Sequence, residues 1–115
     1  MDDREIVKRS AEAMGYHPIS PYEQGHGMGI GVSGVGIRNW NPLENDGDAL
    51  RLAVKLQLTV CNEQIGAGVA YCTRDEGEDF PMIYSGNDQA EVVAEDYAAT
   101  RRAIVVAAAQ IASKP

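Results

Sequence analysis

Two short stretches of this chain place arginine beside an aromatic side chain. The first is Arg38, Trp40 and Asn41; the second is Tyr97 with Arg101 and Arg102. A guanidinium offers a rigid fork of donors to phosphate or carboxylate, and an aromatic face stacks on a flat ring or a cation. Such a set suits a planar, anionic small molecule. Adjacent residues of a helix point about 100° apart, so at most one of Arg101 and Arg102 shares the Tyr97 side. The competing reading is structural. Exposed arginine pairs usually contribute little, and tryptophan is usually core.

Other chemistries find weaker support. Gly29-Ile30-Gly31-Val32-Ser33-Gly34 fits the dinucleotide pattern G-x-G-x-x-G, but that site needs a helix directly after the turn to hold the pyrophosphate. Here the chain runs through Val35, Gly36 and Ile37 to Trp40-Asn41-Pro42, which is no helix start, and no P-loop Lys-Ser/Thr ending follows. His17, His26, Cys61 and Cys72 are the soft metal ligands, without the close paired spacing of a zinc site. Buried cysteines on neighbouring strands, facing each other without a bond, are the simpler expectation. There is no G-x-S-x-G elbow. Asp75, Glu76, Glu78 and Asp79 read as a solvated charge run. No cofactor, metal or catalytic residue is therefore expected, and a binder is favoured over an enzyme.

The elements that must position these residues follow from periodicity. Asp2 to Met14 reads as a helix: Asp2 and Glu5 have capping-box spacing, and Ile6, Val7, Ser10, Ala11 and Met14 share one face. Gly15 suits a left-handed cap. Pro18 and Pro21 then impose extended backbone. Six of the twelve glycines fall between Gly25 and Gly36. This stretch is either a mobile loop or a thin β-ribbon turning at Ser33-Gly34, whose bare face admits a ligand or a backbone. A second helix starts at an Asn45 or Asp46 cap and runs to Gln57. The arc of Ala49, Leu50, Leu52, Ala53, Val54 and Leu56 is broad enough to predict a well-buried helix. Strands are expected at Leu58–Cys61 and Ile65–Thr73, joined by a turn at Asn62–Gln64. An acidic loop over Arg74–Asp79 and a short strand at Phe80–Tyr84 come next. An alanine-rich helix from about Gln89 to Ala112 closes the chain.

The 115 residues amount to one domain, 1–115, with 44% hydrophobic residues to fill a core and a net charge of −7. That charge disfavours general nucleic-acid binding, which needs clustered Lys and Arg. No apolar run approaches a membrane span, and the start MDDREIVKRS lacks the apolar stretch of a secretory signal. The reading is a soluble α/β (α+β) domain of about three helices on a small, mainly antiparallel sheet. An open sheet edge would favour a homo-oligomer.

Two blocks carry a family resemblance. The first is Trp40-Asn41-Pro42-Leu43 followed by Asp46-Gly47-Asp48-Ala49-Leu50-Arg51-Leu52-Ala53-Val54-Lys55-Leu56. The second is Tyr97-Ala98-Ala99-Thr100-Arg101-Arg102-Ala103-Ile104-Val105 with Ala107-Ala108-Ala109. In order and spacing they resemble the phage ABA sandwich domain family, small proteins of bacteriophages and prophages. The resemblance implies an α/β/α sandwich and a protein acting in the cytoplasm of an infected bacterium, and supplies no catalytic residues. By analogy with other small phage proteins, the expected function is sequestration of a small anionic, nucleotide-type signal to counter bacterial defence. Arg38, Trp40, Asn41, Tyr97, Arg101 and Arg102 are its candidate ligands. The alternatives are a module that binds a host protein or supports phage assembly, and a small enzyme that cleaves a nucleotide signal.

Overall fold

The computed structural model describes residues 2–21, 28–32, 36–62, 68–75, 77–88 and 91–114. Among the described residues there are three helices and small antiparallel sheets, the expected α+β class, with the strands divided between two sheets.

Helix α1 (Asp3–Ala13) starts where Asp2 accepts the Glu5 amide at 2.8 Å. It ends in a Schellman turn: Tyr16 N–H donates to Ala11 O, Gly15 N–H donates to Glu12 O, and Gly15 takes φ +81°. Helix α2 (Asp46–Lys55) is capped by Asn45, whose side chain accepts the Asp48 amide at 2.9 Å. It ends in the same way, with Leu58 N–H on Ala53 O, but the left-handed position is Gln57 at φ +55°. The helix thus stops at Lys55, short of the Gln57 expected.

Helix α3 (Ala94–Ala112) begins later than the expected Gln89. Asp96 accepts the Val93 amide and the Asn87 side chain binds Glu91 O, which holds the chain before Ala94 out of helical geometry. Residues 89–90 lie outside the described part.

Sheet 1 consists of β1 (His17–Pro21), β2 (Met28–Val32) and β3 (Gly36–Trp40) in that order, all antiparallel. Of the two readings of the glycine-rich stretch, its described residues take the ribbon form, with Val32 opposite Gly36 and Met28 opposite Trp40. The proposed Ser33-Gly34 turn lies outside the described residues. The G-x-G-x-x-G segment is followed by strand β3, so the helix that a dinucleotide site needs is replaced by a strand.

Sheet 2 is built around β5 (Val69–Arg74), with β4 (Thr59–Cys61) on one side and β6 (Glu78–Asp79) on the other. β7 (Ile83–Tyr84) also pairs with β5. Two expectations change here. The acidic loop contains β6, because Asp75 (φ +36°) and Gly77 (φ +86°) turn the chain tightly enough to pair Glu78 with Arg74. The strand expected over Phe80–Tyr84 shortens to Ile83–Tyr84. Phe80 N–H still reaches Cys72 O, but Pro81 has no N–H to continue the ladder. Residues 63–67, which include most of the expected turn and the start of the expected second strand, lie outside the described part.

The register also corrects the cysteine pairing. Cys61 opposes Tyr71 and Cys72 opposes Val60, so the two thiols alternate between faces rather than facing each other. Cys72 is buried, and that burial, with Cys61 nearby, pushes its thiol up to about 12.

α3 is the central element. It packs on α1, α2 and sheet 2, while α1 also packs on sheet 1. The alanines explain the closeness. Ala99, Ala103, Ala107, Ala108 and Ala109 are all buried, together with Ile104 and Val105, so several neighbours can approach the α3 backbone. From α1, Ile6, Val7, Ser10 and Ala11 face this core. Among the described residues no helix is long and apolar enough to cross a membrane.

α2 departs from expectation. Leu52 and Ala53 are buried, but Leu50 is 63% and Val54 69% exposed. Its broad apolar arc exceeds what α3 covers, and the surplus faces outward.

Candidate functional site

Leu50, from the uncovered part of that arc, stands on one wall of a groove of about 400 Å³ between α2 and α3. Ala49, Leu50 and Ala53 line it from α2, Tyr97 and Ile104 from α3, with Val60 of β4 and Val92 completing the apolar surface. Asp46, Asn62, Asp96, Thr100 and Arg101 supply polar groups. Tyr97 is 58% and Val92 48% exposed, so large apolar side chains stand open to solvent here. An open apolar cleft with a few converging polar groups is the usual form of a ligand site.

Tyr97 and Arg101, four residues apart on α3, lie on this groove together. The Arg101 Nε donates to Leu43 O at 2.7 Å and its Nη1 donates to Asp46 Oδ1 at 2.8 Å. The guanidinium thereby ties the α2 entry to α3 while facing the cleft. Arg102 points elsewhere, as the 100° rotation between neighbours requires: its Nη1 meets Asp3 of α1 at 2.8 Å. One arginine fastens α3 to α2 and the next fastens it to α1.

The other candidates separate from this pair. Trp40 is fully buried, its Nε1 donates to Ser10 Oγ at 3.2 Å, and Tyr16 meets it edge to face at 5.1 Å between ring centroids. It therefore takes the core role of the two weighed for it. Asn41 is buried as well. Its backbone N–H donates to Asp48 Oδ2 at 3.0 Å and its Nδ2 to Glu44 Oε2 at 3.1 Å, which sets the chain entering α2. Arg38 sits in β3 opposite Ile30, and its side chain lies outside the described part. The structure thus brings together Tyr97 and Arg101, while Trp40 and Asn41 support the fold outside the groove. Of the groove residues only Tyr97 and Arg101 were candidates from the sequence; Leu50, Val60 and Asp46 are among those that sequence reasoning missed. The signal for Leu50 lies in the breadth of the α2 arc, which by periodicity alone predicts burial.

One end of the groove is fixed by a polar cluster. Asp96 Oδ2 accepts the Val93 amide at 2.9 Å and the Asn87 Nδ2 at 2.7 Å, and the Ser85 hydroxyl bonds the same carboxylate. The Val93 bond is the main reason its carboxyl sits below the ordinary range; burial opposes it, and Ser85 and Asn87 add to it. A depressed folded value means a stabilising carboxylate above the unfolded value of about 3.9, lost as pH falls through the folded value. The stability gap between wild type and Asp96→Asn is expected to stay constant near neutrality and to shrink below about pH 4. Urea titrations of both proteins between pH 7 and pH 3 check this, and a gap independent of pH would contradict it.

Among the described residues, no three His, Cys, Asp or Glu side chains gather as a metal site would need. Comparison of the chain with protein-family models, with curated proteins and with solved structures gives no match.

Proposed function

We propose that this chain is a non-enzymatic binding protein that takes up a small anionic, nucleotide-type molecule in the α2–α3 groove. The observation that carries this reading is the placement of Tyr97 and Arg101 side by side on one wall of an open apolar cleft. Tyr97 offers a ring face for a base, and Arg101, with its Nε held on Leu43 O, offers its terminal guanidinium N–H groups to phosphate. The volume of about 400 Å³ lies in the range of small-molecule sites. The setting, a phage protein that sequesters a host defence signal in the cytoplasm of the infected cell, rests on the two sequence blocks that resemble the phage ABA sandwich domain family. Self-association into a homo-oligomer is part of the proposal, supported by exposed Met82 and Tyr84 at β7.

The test compares Arg101→Ala with Arg102→Ala. Calorimetry against cyclic nucleotides and cyclic ADP-ribose isomers is expected to show affinity falling at least about tenfold in Arg101→Ala, as for a lost charge-assisted contact. Arg102→Ala should bind within about twofold of wild type. Melting temperatures measured in parallel separate binding from folding, since Arg101 also holds the Leu43 carbonyl. Unchanged binding in Arg101→Ala would remove the anion from this groove.

A second reading has its own observation. Val54 lies one turn beyond Leu50 and is 69% exposed, so the apolar wall continues along α2 past the groove. Such a surface on a chain of net charge −7 suits a basic host protein or a phage assembly partner. A tagged pull-down from infected cells that recovers one stoichiometric basic partner would favour it.

A further inference from the structure

The Arg101 guanidinium that faces the groove already has an anion, and the way it is held separates a fixed contact from an exchangeable one. Its Nε donates to a backbone carbonyl, Leu43 O, at 2.7 Å, an acceptor that cannot leave without moving the α2 entry. Its Nη1 donates to a single oxygen of Asp46 at 2.8 Å. The Arg101 side chain is only 19% exposed, whereas Asp46 is 75% exposed. An exposed carboxylate leaves such a pair at little cost, because water takes over its hydration and surface pairs contribute little. Both residues line the groove.

We propose that Asp46 is an internal competitor for the ligand's anionic group and so sets the specificity of the groove. In the free protein it occupies Nη1 of Arg101. On binding, a phosphate replaces the Asp46 carboxylate at Nη1 while Nε stays on Leu43 O. Asp46 turns to solvent but still repels the incoming charge. The exchange therefore weakens binding of every anionic ligand, so the groove retains those whose ring gains enough on Tyr97 to offset it, while an uncharged ligand is unaffected by Asp46. This rests on the nucleotide-binding reading above and adds a residue to it.

The test measures binding of AMP and adenosine, which differ by the phosphate, to wild type, Asp46→Asn and Asp46→Glu. Asp46→Asn should bind AMP roughly three- to tenfold more tightly than wild type, with adenosine unchanged within twofold. Asp46→Glu should behave as wild type, and the AMP gain should shrink between 50 and 500 mM salt. A purely structural role for Asp46 would move AMP and adenosine together, and that result overturns the proposal. Wild type binding AMP through Arg101 with no gain in Asp46→Asn overturns the competitor role and leaves the nucleotide reading standing. If neither wild type nor Asp46→Asn binds AMP, the competitor role is overturned. The nucleotide reading falls only if the wider ligand panel fails as well.

Discussion

Trp40→Ala is expected to destabilise the fold by about 3–5 kcal/mol, the usual cost of truncating a large buried aromatic side chain. The indole is fully buried, its edge-to-face contact with Tyr16 fixes the α1 end, and its N–H is matched to Ser10 Oγ. Ser10 in turn donates to Val7 O at 2.7 Å, so the tryptophan is tied into a hydrogen-bonded chain inside α1. Truncation opens a cavity between sheet 1 and α1, and the loss should extend to sheet 1, whose described core side chains are Ile30 and Trp40. Trp40→Phe should cost less, because it keeps much of the volume even though it loses the N–H bond. Chemical denaturation of both variants measures this. A Trp40→Ala protein as stable as wild type would mean that the indole does not form this core.

Gly68→Ala is the second substitution with a large expected effect, at least about 2 kcal/mol. Gly68 has φ +66°, a conformation that costs an L side chain about 1–2 kcal/mol. Space is also lacking: an added Cβ would stand 2.9 Å from the Asn87 carbonyl oxygen and 3.1 Å from Ser85 Oγ. The Asn87 backbone cannot retreat freely, since Asn87 joins Glu91 and Asp96 at the start of α3. The strain should therefore spread to the cap cluster. Gly86→Ala is the matching control, because it shares a positive φ (+78°) but meets no atom within 4 Å. It should lose only the conformational part. Equal losses in the two variants would show that the close approach at Gly68 carries no energy.

How far these features were legible in the sequence depends on whether the signal was local. Asp2, Gly15 and Asn45 act through neighbours three to five residues away, so caps and turns mark α1 and the start of α2 directly. The start of α3 was misplaced because its cap is not a residue at the first turn alone. Val93 has no acceptor side chain, and Asp96 with Asn87 does the work instead. The broad α2 arc was visible, but its meaning depends on how much of it α3 covers, and that is a property of packing. Leu50 became a groove wall for this reason. Arg101 and Arg102 were separable by helical geometry, whereas the partners Asp46, Leu43 and Asp3 come from distant parts of the chain. Trp40 illustrates the same limit. Beside Arg38 and Asn41 it reads equally as site or core, and only the contacts with Ser10 and Tyr16 decide it.

The most direct test of the central proposal is ligand capture by the whole chain. The purified protein is incubated with cyclic nucleotides and cyclic ADP-ribose isomers, freed of unbound molecules, denatured by heat, and the released small molecules are identified by mass. The proposal predicts one member of the panel recovered unchanged and close to stoichiometric from wild type, and little or none from Arg101→Ala. Recovery of a chemically altered product would make the protein an enzyme. Recovery of nothing from wild type across the panel would contradict nucleotide binding in the α2–α3 groove.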